Sequence, residues 1–341
     1  MLETIWFVIW GVLWMGYFIL DGFDLGMGML MPVLAKTDTE KRIIYNAAGP
    51  FWDGNEVWLI AAGGVTFAAF PLAYAVMFQG LYTALMLLLF ALIVRGVSFE
   101  FRSKVEDPRW RKMWDYCQIG GSFLPALLLG VAFANIFQGL PINEQHINEA
   151  GLLDLLNPYG LAGGILFILM FAMHGAIWLG IKARGPLQER AGAFASKLWG
   201  GLLVYTVAFL GFTFVQTNLF NNYFKWPVLF IIPAIAVVGL LLMHCYIASA
   251  QWWKAWFSSA AYIGGVTMFG VAGLFPALLP SSLNPAWSIT ATDAAVKAAS
   301  SPLTLKIMLG AVLLFLPFVL GYQYWTYKTF SFPVDENDLE Y

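Results

Sequence analysis

Residues 4–33 read TIWFVIWGVLWMGYFILDGFDLGMGMLMPV, thirty residues with only two charges, Asp21 and Asp24. As one helix this stretch is about 45 Å long at ~1.5 Å per residue. That exceeds the ~30 Å hydrocarbon core of a bilayer. The run is too long for the apolar part of a signal peptide, and Met1-Leu2-Glu3 lacks a basic start, so it reads as a retained span. Its two carboxyl groups are the anomaly. Ionisable groups in lipid-embedded helices are costly and by default mark function. Protons, ions, or a charged or redox partner would each justify them.

The rest of the chain has the same character. Of 341 residues, 60% are hydrophobic and 11% are charged, against about 25% charged in a soluble domain. Mean hydropathy is +0.73. A net charge of −2 gives no footprint for nucleic acid. Cys117 and Cys245 stand far apart with no metal-ligand spacing and read as small buried residues.

The fold class is an all-α integral membrane protein, a single polytopic domain. About nine spans are expected: 4–33, 55–74, 76–101, 115–140, 157–182, 196–217, 226–247, 256–279 and 302–328. A turn near Pro71 separates the second from the third. Residues 4–140 and 157–279 would each form a four-helix bundle, leaving 302–328 as a peripheral helix. Basic residues set the orientation. With the N-terminus outside, Lys36, Lys41, Arg42, Arg102, Lys104, Arg109, Arg111, Lys112, Lys182, Arg184, Arg190, Lys197, Lys254 and Lys328 all fall inside. Only Lys225 and Lys297 fall outside, while Arg95 and Lys306 lie within spans. The expectation is N-out and C-in, with an acidic, frayed tail from Asp335 to Tyr341.

A second acidic motif, Trp52-Asp53-Gly54-Asn55-Glu56-Val57-Trp58, opens the second span. Asp21 and Asp24, and likewise Asp53 and Glu56, are three apart and share a helix face. The first pair lies in the inner half of the membrane or at its inner boundary, where it would be solvated. For the second pair, Asp-x-x-Glu also suits a capping box. The orientation brings both pairs toward one side, as protonatable groups at successive depths would require. Arg95 and Glu100 lie near that side. They either support the carboxylates, or Arg95 snorkels to the interface. His174 and His244 differ in depth by about 7 Å at ~1.5 Å per residue, a poor match for one haem. His146 falls in an outer loop.

The run Asp21-Gly22-Phe23-Asp24-Leu25-Gly26 resembles the first-helix signature of subunit II of cytochrome bd quinol oxidases. So do Trp52 to Ile60, Ala62-Gly63-Gly64 and Phe67-Ala68-Ala69. Further matches are Phe101-Arg102-Ser103-Lys104, Trp110-Arg111, Met113-Trp114-Asp115, Gly130 to Phe133, Gln138-Gly139, Pro276, Pro280-Ser281-Ser282 and Leu303-Thr304-Leu305. The resemblance covers nearly the whole chain. It implies a heterodimer in the bacterial inner membrane that oxidises quinol and reduces O₂ to water. Such a complex takes protons from the cytoplasm and builds proton-motive force without pumping.

In such a complex subunit I ligates haems b558, b595 and d and carries the quinol-oxidising loop. Subunit II, on this resemblance, ligates no haem or metal, braces subunit I and contributes acids to a proton path. Here those acids would be Asp21, Asp24, Asp53 and Glu56, with Trp58 a candidate for the O₂ route. The resemblance leaves room for a structural quinone and a small accessory membrane subunit. Members often carry a His just before the WDG run, where this chain has Phe51, and the segment 218–225 is short where some relatives are long. The rival reading is a proton- or cation-coupled secondary transporter using the same four acids. Inverted repeats and a helix broken at the midplane would favour it.

Overall fold

The first span does not run as one uniform helix. In the computed structural model, which describes residues 1–292, 298–335 and 339–340, α1 (Leu2–Leu20) and α2 (Gly22–Leu34) meet at Asp21. Backbone bonds bridge the junction, from Asp21 N to Tyr17 O (2.9 Å) and from Leu25 N to Asp21 O (2.9 Å). The two pieces therefore remain one membrane-crossing unit, with a local break at the first acid. Lys297, positions 336–338 and Tyr341 lie outside the described residues.

The remaining helices are α3 (Asp38–Ala48), α4 (Trp52–Ala69), α5 (Pro71–Gly80), α6 (Tyr82–Phe101), α7 (Pro108–Gln138), α8 (Pro158–Lys182), α9 (Gly185–Gln216), α10 (Phe220–Lys225), α11 (Ile231–Ala248), α12 (Trp252–Leu274) and α13 (Pro302–Thr329). Eight units among the described residues are long and apolar enough to cross a membrane. The expected segment 55–74 corresponds to α4 and the start of α5, where Asp53 and Glu56 dilute the apolar run. The break near Pro71 is present, but a second one at Leu81 makes α5 a separate short helix. The third span accordingly begins at Tyr82 rather than at 76.

Helix starts follow side chains that satisfy the free N–H groups of a first turn. Asp107 accepts from Arg109 N (2.8 Å) ahead of Pro108, which starts α7 seven residues before the expected 115. Asn157 accepts from Gly160 N (2.8 Å) ahead of Pro158. Thr37 and Glu40 form a complete capping box on α3, inside the expected loop 34–54. The capping box expected at Asp53 and Glu56 does not form: α4 starts after Phe51 with no side-chain cap.

α8 is the central helix, and most of its residues are buried. It packs on α2, α7, α9 and α12. The α2–α8 crossing is close because glycines face each other. A Cβ on Gly26 would lie 1.9 Å from Phe171 O, and one on Gly175 would lie 2.4 Å from Met27 N. Small residues permit such backbone contact in lipid. α13 is peripheral: it touches α1 and α4 and buries only Leu305. One end of the bundle gathers the basic residues, where Arg190 pairs with Glu40, Arg102 with Asp38, and Lys41 with Asp115. Val334, Leu339 and Glu340, the described residues in contact there, dock at that end. Val334 N donates to Lys182 O (2.8 Å), Arg42 to Leu339 O (2.9 Å) and Glu340 N to Asn46 (2.9 Å). At the other end, strands β1 (Ala277–Leu279) and β2 (Ile289–Thr290) pair antiparallel beside the loop after α7.

Candidate functional site

Both first-motif acids, at and just after the junction between α1 and α2, point into protein. Asp21 and Asp24 are buried, as is Arg95 on α6. Arg95 Nη2 lies 3.0 Å from Asp21 Oδ1, and Arg95 Nη1 lies 2.7 Å from Glu56 Oε1 on α4. Arg95 thus does not snorkel; its two carboxylate partners hold it in the core. Asp24 Oδ2 accepts from Asn55 Nδ2 (2.7 Å). Asn55 Oδ1 in turn accepts from Tyr327 Oη (3.0 Å) on α13, and Trp58 Nε1 donates to Gln323 Oε1 (3.0 Å) on the same helix. Three carboxyl groups, one guanidinium and a row of amides and hydroxyls therefore join α1, α2, α4, α6 and α13.

Asp53 and Glu56 part company despite their spacing. Glu56 turns in to Arg95, while Asp53 stays exposed and makes no ion pair among the described residues. Asp53 aligns with exposed Gly54, Val57, Ile60, Gly64 and Phe67 along the outward face of α4. Glu100 is also exposed and stands apart from the cluster. Asn55, Tyr327 and Gln323 were not singled out by sequence reasoning. Asn55 sits inside the second motif, a usable signal; the other two are ordinary residues of a distant helix.

A second polar cluster closes the basic end. Arg102 Nε binds Asp115 Oδ1 (2.6 Å), Arg102 Nη2 binds Asp38 Oδ1 (2.6 Å), and Lys41 binds Asp115 Oδ2 (2.8 Å). Tyr45 lies under the guanidinium, 5.3 Å from ring centre to Cζ. Burial pushes the Asp38 carboxyl up, but the Arg102 bond and the charges of Arg102, Arg111 and Lys41 hold it below its ordinary value. Glu40 is likewise lowered, against burial, by the Lys36 backbone N–H and by Arg190.

The histidines sit elsewhere. His174 is buried with both ring nitrogens engaged, Nδ1 with Ser259 Oγ (2.9 Å) and Nε2 with Ile19 O (3.0 Å). His244 is exposed and stacks on Trp199 at 4.1 Å. Trp58 packs against Gly16 and lines a groove of about 530 Å³ with Trp253, Trp256, Tyr324, Tyr327 and Gln323.

Residues 2–330 match the family described as cytochrome bd terminal oxidase subunit II. The chain belongs to that family. This subunit II is 37% identical to the cytochrome bd-I ubiquinol oxidase subunit 2 of Escherichia coli, over 99% of this chain and 97% of the relative. It is 36% identical to the Bacillus subtilis cytochrome bd ubiquinol oxidase subunit 2, over 96% of each. A probable cytochrome oxidase subunit 2 of Haemophilus influenzae is also 36% identical, over 99% of this chain and 97% of that protein. In fold it is similar to a chain in the structure of bd oxidase from Geobacillus thermodenitrificans, with a TM-score of 0.77 at 17% identity, covering 96% of this chain and 98% of that one. As a subunit II it is a multi-pass inner-membrane protein of the respiratory chain.

Proposed function

We propose that this chain is the haem-free subunit of a quinol:O₂ oxidoreductase that passes cytoplasmic protons toward the O₂-reducing haem of subunit I. The observation that carries the reading is the buried group of Asp21, Asp24 and Glu56 around the single guanidinium of Arg95. Surplus negative charge in a low-dielectric interior is costly. Protons are the counter-charge at hand, and a group that takes up and sheds a proton is what a relay needs. Protons drawn from one side and consumed in making water build proton-motive force without pumping. The basic end would face the cytoplasm, N-out and C-in.

Asp53 supports a partner on the outward face of α4. A carboxyl turned to lipid is costly, so this face is read as the seat of subunit I, with Asp53 passing protons across the contact. Haems b558, b595 and d would be held in that partner. In this chain both ring nitrogens of His174 are engaged by protein, and His244 lies on the exposed face of α11 against Trp199, away from His174. The groove beside Trp58 suits flat or apolar guests. Its indole and phenol walls and the Gln323 amide fit a structural quinone head, and its mostly apolar lining between α1, α12 and α13 fits a route for O₂. A small accessory membrane subunit is compatible with the apolar outer helices.

The break at Asp21 is a feature that a cation-coupled transporter would also use. Backbone hydrogen bonds cross it, however, and membership of the oxidase family points to the relay. The test is turnover of Asp24→Asn and Asp53→Asn complexes. Slowed O₂ reduction with an unaltered haem spectrum is expected. If both assemble and turn over at the wild-type rate, the relay assignment is wrong.

A further inference from the structure

Between α6 and α7 runs a polar seam of which the relay described above uses only Arg95. Arg95 and Ser98 on α6 and Arg102 just past its end lie three and four apart, and Asp115, Gln118 and Ser122 have the same spacing on α7, so each set shares one face. All six are buried. The rows meet at two rungs. Arg102 Nε lies 2.6 Å from Asp115 Oδ1, and Ser98 Oγ lies 2.7 Å from Gln118 Oε1 and 2.6 Å from Arg95 O.

Ser122, the last residue of the α7 row, faces α2. A Cβ on Gly28 would lie 2.0 Å from Ser122 Oγ and 3.3 Å from Gln118 Nε2. The missing side chain at position 28 is what lets the hydroxyl reach α2. Gly28 is four residues from Asp24 and on the same face of that helix. The seam therefore ends about one turn, ~5.4 Å along the helix, from the relay acid. Its other end meets solvent: Lys41 Nζ binds Asp115 Oδ2 (2.8 Å) with 33% of its side chain exposed, and Asp38 binds Arg102 with 45% exposed.

Four buried polar atoms along this line have no hydrogen-bond partner among the described residues: Ser122 Oγ, Asp24 Oδ1, Arg95 Nε and Arg102 Nη1. Buried polar groups are nearly always satisfied by protein or by ordered water. We propose that the α6–α7 seam is a hydrated proton intake within this chain, leading from the Lys41–Asp115–Arg102 cluster past Gln118 and Ser122 to Asp24. The proposal rests on the relay reading and names where its protons come in.

Each step moves one proton along a hydrogen bond. A water beside Ser122 gives a proton to the Asp24 carboxylate, the hydroxyl passes one on to that water, and the next water toward Asp115 refills the hydroxyl. No bond to carbon changes and no electron moves. Both guanidiniums are flanked by carboxylates, Arg102 by Asp115 and Asp38 and Arg95 by Asp21 and Glu56, so neither stands as an uncompensated positive barrier. Gln118 cannot carry a proton onward; its amide orients water between the serines.

The experiment uses the assembled oxidase with Ser122→Ala, Ser122→Thr and Gln118→Leu, beside Asp24→Asn. With the haem spectrum intact, Ser122→Ala and Gln118→Leu should slow proton uptake and O₂ reduction by about tenfold or more, with a larger solvent deuterium effect. Ser122→Thr, which keeps the hydroxyl, should restore the rate. Wild-type rates in Ser122→Ala and Gln118→Leu alongside a slow Asp24→Asn would overturn the intake and leave the relay standing. Wild-type rates in all three would overturn the intake, and a wild-type rate in Asp53→Asn as well would overturn the relay. A slow Ser122→Ala that Ser122→Thr does not rescue would assign Ser122 to packing and also overturn the intake.

Discussion

Arg95 Nη2 lies 3.0 Å from Asp21 Oδ1, and both side chains are wholly buried inside a membrane-spanning bundle. The contact ties the break in the first span to the middle of α6. With Glu56 as second partner, one guanidinium orients acids from two other helices. Removing the cation alone would strand buried carboxylates.

Arg95→Leu should therefore be among the most damaging single changes in the chain. Breaking a buried pair by deleting one partner costs about 3–5 kcal/mol. The expected outcome is little or no assembled complex in the membrane, measured by yield and haem content after purification. Arg95→Lys, which keeps the charge but loses the forked geometry, should assemble in reduced amount with a lower thermal midpoint. Normal accumulation of Arg95→Leu would show that this pair does not hold the helices.

At the basic end a pH dependence follows from Asp38. Its carboxyl is lowered in the folded protein, against burial, by the Arg102 bond and by the charges of Arg102, Arg111 and Lys41. A lowered folded value means that its contribution is present above the unfolded value, about 3.9. The contribution is lost as pH falls through the folded value. The thermal midpoint of the wild-type complex should thus decline on acidification below about pH 4, and Asp38→Asn should show a smaller decline over the same range. Parallel profiles for the two would count against the argument.

The α2–α8 crossing makes a contrast between glycines. In Gly26→Ala the new methyl would overlap Phe171 O, with 1.9 Å between the atoms. Overpacking of this kind costs about 1–3 kcal/mol or more, because backbone rather than a flexible side chain must move. Gly200→Ala on α9 meets nothing within 4 Å. Membrane yield and melting temperature should fall for Gly26→Ala and stay near wild type for Gly200→Ala. Equal behaviour would mean that the crossing tolerates separation.

His174 joins α8 to Ser259 on α12 and to Ile19 O on α1. His174→Ala leaves the buried Ser259 hydroxyl and the half-buried Ile19 carbonyl without it, a loss of about 1–3 kcal/mol. The melting temperature should drop while the haem-to-protein ratio and the visible spectrum of the surviving complex stay unchanged. A missing haem band would instead make His174 a ligand.

Much of this protein could be read from its residues in order. Long apolar runs with few charges have one stable setting, because helices satisfy their own backbone groups in lipid. The all-helical membrane fold and the approximate borders of most spans follow, though nine were expected and eight among the described residues are long and apolar enough; the two acidic motifs, with the family to which they belong, stand out against that background. The helix starts at Pro108 and Pro158 were also encoded locally, by Asp107 and Asn157. Spacing misled where two local readings competed: Asp53–Glu56 has the pattern of a capping box, and Thr37–Glu40 has the box itself.

Contacts between distant helices were decided only by tertiary structure. Nothing near Arg95 in sequence says that it faces Asp21, 74 residues earlier, or that Tyr327 closes over Asn55 from 272 residues away. The same holds for the α6–α7 seam, whose spacing is visible on each helix but whose meeting depends on the rotation of both. Sequence determined that acids lie within the membrane, since hydropathy is a sum over neighbours along the chain. Which acid is paired, which is left exposed and which is reached from the basic end depends on distance and dielectric between helices, and those exist only once the helices have packed.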